Sequence, residues 1–128
     1  MTFLLTVDEI TELHTKLTLK SGGSDGLRDR GLLESAVYSA ETAFGGEEVY
    51  QTLEEKAARL MFALVSNHAF IDGNKRIGVL VMLMTLRLNG ISLAYTQKEL
   101  IDLGLSAAAG GRGGTVLLRF VHGQTLLF

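Results

Sequence analysis

Three times along the chain a threonine is followed three residues later by a glutamate, with an apolar run at helical spacing directly behind: Thr6 with Glu9, Thr52 with Glu55, and Thr96 with Glu99. Each side chain of such a pair can accept the backbone N–H of the other residue, so each pair predicts a helix start. Behind Thr6, the apolar positions Val7, Ile10, Leu13 and Leu17 recur on one face until Gly22-Gly23, which predicts a helix over roughly residues 7 to 20. A second amphipathic stretch places Leu32, Leu33, Ala36, Val37 and Ala40 on one face, with Asp29 as its cap and an end near Glu41. Behind Thr52, the residues Ala57, Leu60, Met61, Leu64, Val65 and His68 share a face, so His68 is expected on the inward side of that helix's last turn. From Asn74, its expected cap, to Asn89-Gly90 the chain is apolar almost all round, the pattern of a helix surrounded by others. A fifth helix is expected from about Gln97 to Ala108, then a glycine-rich loop (GGRGG, 110–114) and a short last helix containing Val116, Leu117, Phe120 and Val121.

Residues 42 to 51, TAFGGEEVYQ, carry the one clear strand signal. Gly45-Gly46 breaks the helical period there, and Phe44, Val49 and Tyr50 flank the turn, the profile of a short hairpin or flap suited to holding an extended peptide. The expected fold class is all-α: a compact helical bundle of about six helices with a short β-hairpin flap.

Size and composition narrow the function. At 128 residues and 13.8 kDa, with 47% hydrophobic residues and no linker-like segment, the chain suits a single domain over 1–128. A net charge of −2 and a pI near 5.9 argue against direct binding of nucleic acid, whose phosphates call for a basic surplus. The lack of cysteine excludes a disulfide framework and a thiolate metal site and fits a reducing compartment, so the cytoplasm is the expected location. No membrane segment is expected: MTFLLTVDEI has no basic region, and the longest apolar stretch, Ile77 to Leu86, is about half of what a spanning helix needs.

Candidate chemistry concentrates in residues 67–78, NHAFIDGNKRIG. Lys75 and Arg76 stand at the start of the central helix, where the helix dipole favours anions and cations are mildly unfavourable unless an anion is shared between them. Gly73, Asn74 and Lys75 fall where loop becomes helix, so their N–H groups can converge on a phosphate, with the Lys75 ammonium as a point charge and the Arg76 guanidinium clasping two oxygens. Asp72, beside them, can hold Mg²⁺ through one carboxylate while phosphate oxygens and water fill the other positions. His68, one turn earlier, can take the proton of an attacking hydroxyl. Together they describe transfer of a phosphorus-containing group.

A lone inward histidine is more often structural, and His68 would need a match of Asp72, Asn74 and Arg76 to a known family spacing to be read as functional. A metal hydrolase centre is disfavoured, because His14 and His122 have no ligand spacing to His68; both are expected at the surface or the edge of the core. Arg28, Asp29 and Glu34 could reach the site but read first as an exposed ion pair, and Met61, Met82 and Met84 read as core fillers.

The stretch HAFIDGNKR resembles the Fic motif, H-x-F-x-[DE]-G-N-[GK]-R, of the Fic/Doc family. GLRDRGLLESAV, FGGEEVY and LEEKAARL resemble the stretches that lead into it in the Doc-like (death-on-curing) branch, the toxins of type II toxin–antitoxin systems, and the resemblance covers residues 4 to 90. It implies a Fic-type bundle in which His68 is the general base, Phe70 a core anchor, Asp72 the Mg²⁺ ligand, and Gly73, Asn74 and Arg76 binders of the ATP phosphates. Phe44 to Tyr50 would correspond to the flap that aligns the target segment by strand pairing.

Three positions depart from the usual Fic pattern: Ala69 stands for proline, Lys75 for a second glycine, and Val79 for a second arginine that grips the terminal phosphate. A lysine crowding the nest and a missing clamp favour reversed ATP, which in Doc-like toxins gives phosphorylation, elongation factor Tu being the known target. Gly73 points the other way, being the residue of AMP-transferring Fic enzymes where Doc has alanine. The expected function is phosphoryl transfer from ATP to a hydroxyl of a protein target, such as a translation factor. The alternatives are AMP transfer and a non-catalytic adaptor that binds a nucleotide or a partner. The self-inhibitory segment of some Fic enzymes, [ST]-x-x-x-E-[GN], is missing, its nearest match being Ser21 to Gly26 with Asp25 for Glu. Inhibition is therefore expected in trans, from a small Phd-like antitoxin whose disordered tail folds into a groove on the bundle.

Overall fold

A computed structural model describes residues 2–91 together with Lys98, Glu99 and Asp102. Helix α1 (Val7–Ser21) starts at the expected reciprocal box: Thr6 Oγ1 accepts the Glu9 N–H at 3.1 Å, and Glu9 Oε1 accepts the Thr6 N–H at 2.9 Å. Helix α2 (Arg30–Ser39) is capped by Asp29, whose Oδ1 accepts the Leu32 N–H at 3.1 Å. It stops short of Glu41, because the N–H groups of Glu41 and Thr42 turn back onto the carbonyls of Tyr38 and Ser39. Helix α3 (Leu53–Asn67) forms only half of its box. Thr52 Oγ1 accepts the Glu55 N–H, but Glu55 Oε1 takes the Thr52 hydroxyl instead of the backbone N–H.

Helix α4 (Asn74–Leu88) departs further from expectation. Its cap position is Gly73, at φ 77°, with no side-chain capping bond, and Asn74 is already helical. Between α2 and α3, strands β1 (Ala43–Phe44) and β2 (Glu47–Glu48) pair antiparallel, with Ala43 opposite Glu48 and Phe44 opposite Glu47. Gly45 and Gly46 join them at φ 61° and 85°, a pair of positive values that only a glycine-rich hairpin turn adopts at low cost. The described residues thus hold four helices and one hairpin, not six helices. The helix expected over 97–108, its Thr96 cap, the GGRGG loop, the last helix and His122 lie outside them, although Lys98, Glu99 and Asp102 are helical.

Helix α4 is apolar almost all round because it lies between two clusters. On one side Ile77 and Val81 join Ile10, Leu33, Ala36, Leu64 and Phe70; on the other Val79, Met82 and Leu86 meet Ala57, Met61 and Val65. Helices α3 and α4 approach closely at Gly78, where a Cβ would lie 2.7 Å from Val65 Cγ2 and 3.1 Å from the Met61 carbonyl oxygen. Any side chain there would force the helices apart. Two cations of α3 fasten the hairpin. The Lys56 Nζ is buried, 3.1 Å from Glu48 Oε1 and 3.4 Å from the Ala40 carbonyl oxygen. The Arg59 guanidinium lies 6.0 Å from the Tyr50 ring centroid and 5.6 Å from that of Phe62. No described helix is long and apolar enough to cross a membrane.

Candidate functional site

The helical period of α3 places His68 inward, but the chain leaves the helix one residue too early for that. His68 is the C-cap, in the left-handed conformation at φ 52° and ψ 47°, and its side chain is exposed. Among the described residues it is the one non-glycine at positive φ. Such a conformation costs about 1–3 kcal/mol and persists where neighbours enforce it. The enforcing group is Arg28, whose Nε donates to the His68 carbonyl at 2.8 Å, with Nη2 on the same oxygen. Arg28 therefore reaches the site and is no exposed ion pair. It is Arg30 that pairs with Glu34, at 3.1 Å, and also with Asp8.

The next residues run antiparallel to the segment before α2. The Ala69 carbonyl accepts the N–H groups of Arg28 and Asp29, and the Ile71 N–H donates to the Gly26 carbonyl at 3.0 Å. Asn74 closes the loop from the other end: its Oδ1 accepts the Phe70 N–H and its Nδ2 donates to the Phe70 carbonyl, both at 3.0 Å. That ties the amide of Asn74 to the loop and leaves its backbone N–H at the uncapped helix start for a ligand.

His68, Ile71, Asp72, Gly73, Asn74, Lys75 and Arg76 line one open pocket of about 400 Å³. At its floor α4 begins uncapped, and the first N–H groups of a helix have no intrahelical partner. Asp72 is half exposed; its Oδ2 accepts the Ser24 N–H at 3.2 Å and its Oδ1 the Gly73 N–H at 2.8 Å. Those N–H groups, Ser24's first, hold its carboxyl below the ordinary range, with the Arg76 charge adding to them. The Arg76 Nη1 donates to Ser21 Oγ and to the Gly22 carbonyl, and Nη2 lies 3.9 Å from Asp72 Oδ2. Gly23 must be glycine: at φ +97° a Cβ would stand 2.5 Å from Asp72 Oδ2 and 2.8 Å from Arg76 Nη2. Lys75 is exposed at the rim, and Val79 packs in the second core cluster instead of facing the pocket.

Comparison with known proteins agrees with this geometry. Residues 4–86 match the Fic/DOC family. The chain belongs to that family. Among its curated relatives it is similar to "Toxin Doc" of Mycolicibacterium smegmatis, 41% identical over 83 residues, which make up 65% of this chain and 64% of that one. It is also similar to "Protein kinase doc" of Escherichia phage P1, 32% identical over 103 residues, 80% of each chain. The chain thus spans a little under two thirds of the mycobacterial relative.

Within this Fic/DOC chain the expected site residues fall into two groups. His68 and Asp72 to Arg76 meet in the pocket, with Phe70 buried beneath them. Phe44, Gly45, Gly46, Val49 and Tyr50 do not line it; Phe44 is 86% exposed at the hairpin's tip. Two contributions were missed. The loop from Ser21 to Gly26, legible only as a helix stop, binds both Asp72 and Arg76. His14, expected at the surface or the core's edge, is buried with 1% of its area exposed and stacks on Phe70, centroids 3.9 Å apart and planes 11° from parallel. The signal was present in its spacing: Val7, Ile10 and His14 share the buried face of α1.

Proposed function

We propose that the chain is a Doc-like toxin that transfers the γ-phosphoryl group of ATP to a hydroxyl side chain of a protein target. The observation that carries it is one pocket lined by an exposed histidine, an ionised aspartate and an uncapped helix start with two adjacent cations. The N–H groups of Asn74, Lys75 and Arg76 would receive phosphate oxygens, with the two cations as counter-charge. His68 would take the hydroxyl proton as the target oxygen bonds to phosphorus and ADP leaves.

Asp72 fits a magnesium ligand. It is ionised and half exposed, and each oxygen that accepts one N–H keeps a lone pair free. Among the described residues no group of three or more His, Cys, Asp or Glu could hold a metal by itself. That suits Mg²⁺, which takes one or two carboxylates and completes its shell with phosphate oxygens and water, and which would neutralise charge on the phosphates.

Phosphoryl transfer is favoured over AMP transfer because Val79 offers no clamp for a terminal phosphate and because one relative is named a protein kinase. The exposed Lys75 side chain favours the second reading, since it leaves the nest open. The flap would align a segment of the target, a translation factor such as elongation factor Tu, and a small Phd-like antitoxin with a disordered tail would neutralise the toxin in the cytoplasm. Incubation of a cell lysate with ATP labelled at the γ or the α position tests the assignment. Label from γ alone on a protein is expected; label from α assigns AMP transfer, and no label rejects both.

A further inference from the structure

We infer that His14 is a positioning residue that sets Asp72 for the metal by donating from Nε2 to the Asp72 carbonyl; this rests on reading Asp72 as the magnesium ligand. The ring meets the motif loop at Phe70 and Asp72 and lies close to Gly73. It stacks on Phe70, its Nε2 lies 2.6 Å from the Asp72 carbonyl oxygen, and that same nitrogen stands 3.4 Å from where a Cβ on Gly73 would be. A carbonyl oxygen only accepts, so the hydrogen in the Asp72 contact must sit on Nε2.

The other nitrogen shows that packing alone does not explain the residue. Nδ1 is buried without a hydrogen-bond partner among the described residues, and it faces Asp25 Oδ1 at 3.5 Å, an oxygen already accepting from Thr15 Oγ1 and the Gly26 N–H. Burying an unpartnered polar atom is unfavourable. A leucine would fill the space between α1 and Phe70 without that penalty, but it would leave the Asp72 carbonyl with no donor. An imidazole is flat enough to stack on Phe70 while donating in its ring plane. With the Asp72 carbonyl held from α1, and its carboxylate held by Ser24 and Gly73, the backbone of Asp72 cannot turn, and the carboxylate direction is fixed before any ligand arrives.

The two properties of the ring separate by substitution. His14→Phe keeps a stacking ring and removes the donor; His14→Gln keeps a donor and removes the ring. Calorimetry on the full chain would compare ATP affinity with and without magnesium. Without magnesium all three proteins should agree within about twofold, whereas the affinity gained on adding magnesium should fall about tenfold or more in His14→Phe and under about threefold in His14→Gln, as loss of one buried hydrogen bond implies. Equal losses with and without magnesium, or a Gln variant as impaired as the Phe variant, would overturn the inference. Should the Phe variant fail to fold, ring ¹⁵N shifts of the unaltered protein decide: a hydrogen on Nε2 is expected, and a bare Nε2 overturns it. Because that readout needs no nucleotide, an unaltered chain that binds no magnesium–ATP would reject the proposed function and with it the role of His14 toward the metal, while the ring measurement separately decides whether His14 holds the Asp72 carbonyl.

Discussion

The motif loop and the flap lie in one small chain and are built on opposite terms. From His68 to Asp72 the loop backbone is held from several sides: Arg28 takes the His68 carbonyl, two N–H groups take that of Ala69, Asn74 takes both groups of Phe70, the Gly26 carbonyl takes the Ile71 N–H, and His14 meets the Asp72 carbonyl. The flap has two strands of two residues each, an exposed tip, and side-chain fastenings on Lys56 and Arg59. Under the proposed function, donors fixed beforehand can meet phosphate charge without reorganising. A segment of a protein target is recognised by backbone pairing, which needs a free strand edge. Under the proposed function the difference would separate chemistry from target docking, and substitutions on the two sides should separate in the same way.

The largest effect is expected on the rigid side. His68→Ala should lower transfer by roughly a hundredfold to ten-thousandfold, the usual contribution of a general base, with ATP affinity by calorimetry nearly unchanged. A parallel loss of affinity would mean that His68 holds nucleotide. Gly23→Ala comes next. Its Cβ would collide with Asp72 Oδ2 and Arg76 Nη2 at φ +97°, so a cost of about 1–3 kcal/mol in thermal melts and weaker magnesium–ATP binding are expected. Full retention of both would show that the loop from Ser21 to Gly26 moves aside freely.

On the flap side, Glu48→Ala leaves the buried Lys56 ammonium with the Ala40 carbonyl as its remaining described partner, at a cost of about 1–3 kcal/mol. Hydrogen exchange should quicken at residues 43–48 and transfer to a protein target should fall, while ATP affinity holds; an equal fall in ATP affinity would erase the distinction between the regions. The smallest effect concerns pH. Asp72 is held below its ordinary value of 3.8 by the Ser24 and Gly73 N–H groups. A depressed folded-state pKa contributes stability above the ordinary value and loses it as pH falls through the folded value. The melting-temperature gap between the unaltered protein and Asp72→Asn should be widest near neutral pH and close in acid; a gap that widens in acid contradicts these bonds.

Local signals carried the element order. Thr6 and Asp29 announced α1 and α2 by side-chain bonds that span three residues, and the all-round apolar run announced α4 as the central helix. The motif residues were legible because His68 to Arg76 fall within nine residues of one another, although the groups that hold that stretch as one pocket come from Arg28, Gly26 and His14. What stayed hidden depends on partners far along the sequence. Periodicity put His68 inward, and only the bond from Arg28, 40 residues away, explains the left-handed cap that turns it out. Asn74 looked like a cap because its amide can serve one, yet Phe70 offers that amide two bonds at once. His14 was undervalued because its partner, Asp72, lies 58 residues on.

The central claim is that ATP phosphates bind at the uncapped start of α4, apart from the flap. Amide NMR of the full chain during addition of magnesium–ATP tests it most directly. The signals of Gly73, Asn74, Lys75 and Arg76 should shift most, those of Phe44 to Glu48 should stay in place, and Asp72→Ala should abolish the shifts. Shifts concentrated in the flap, or none at the start of α4, would contradict the account.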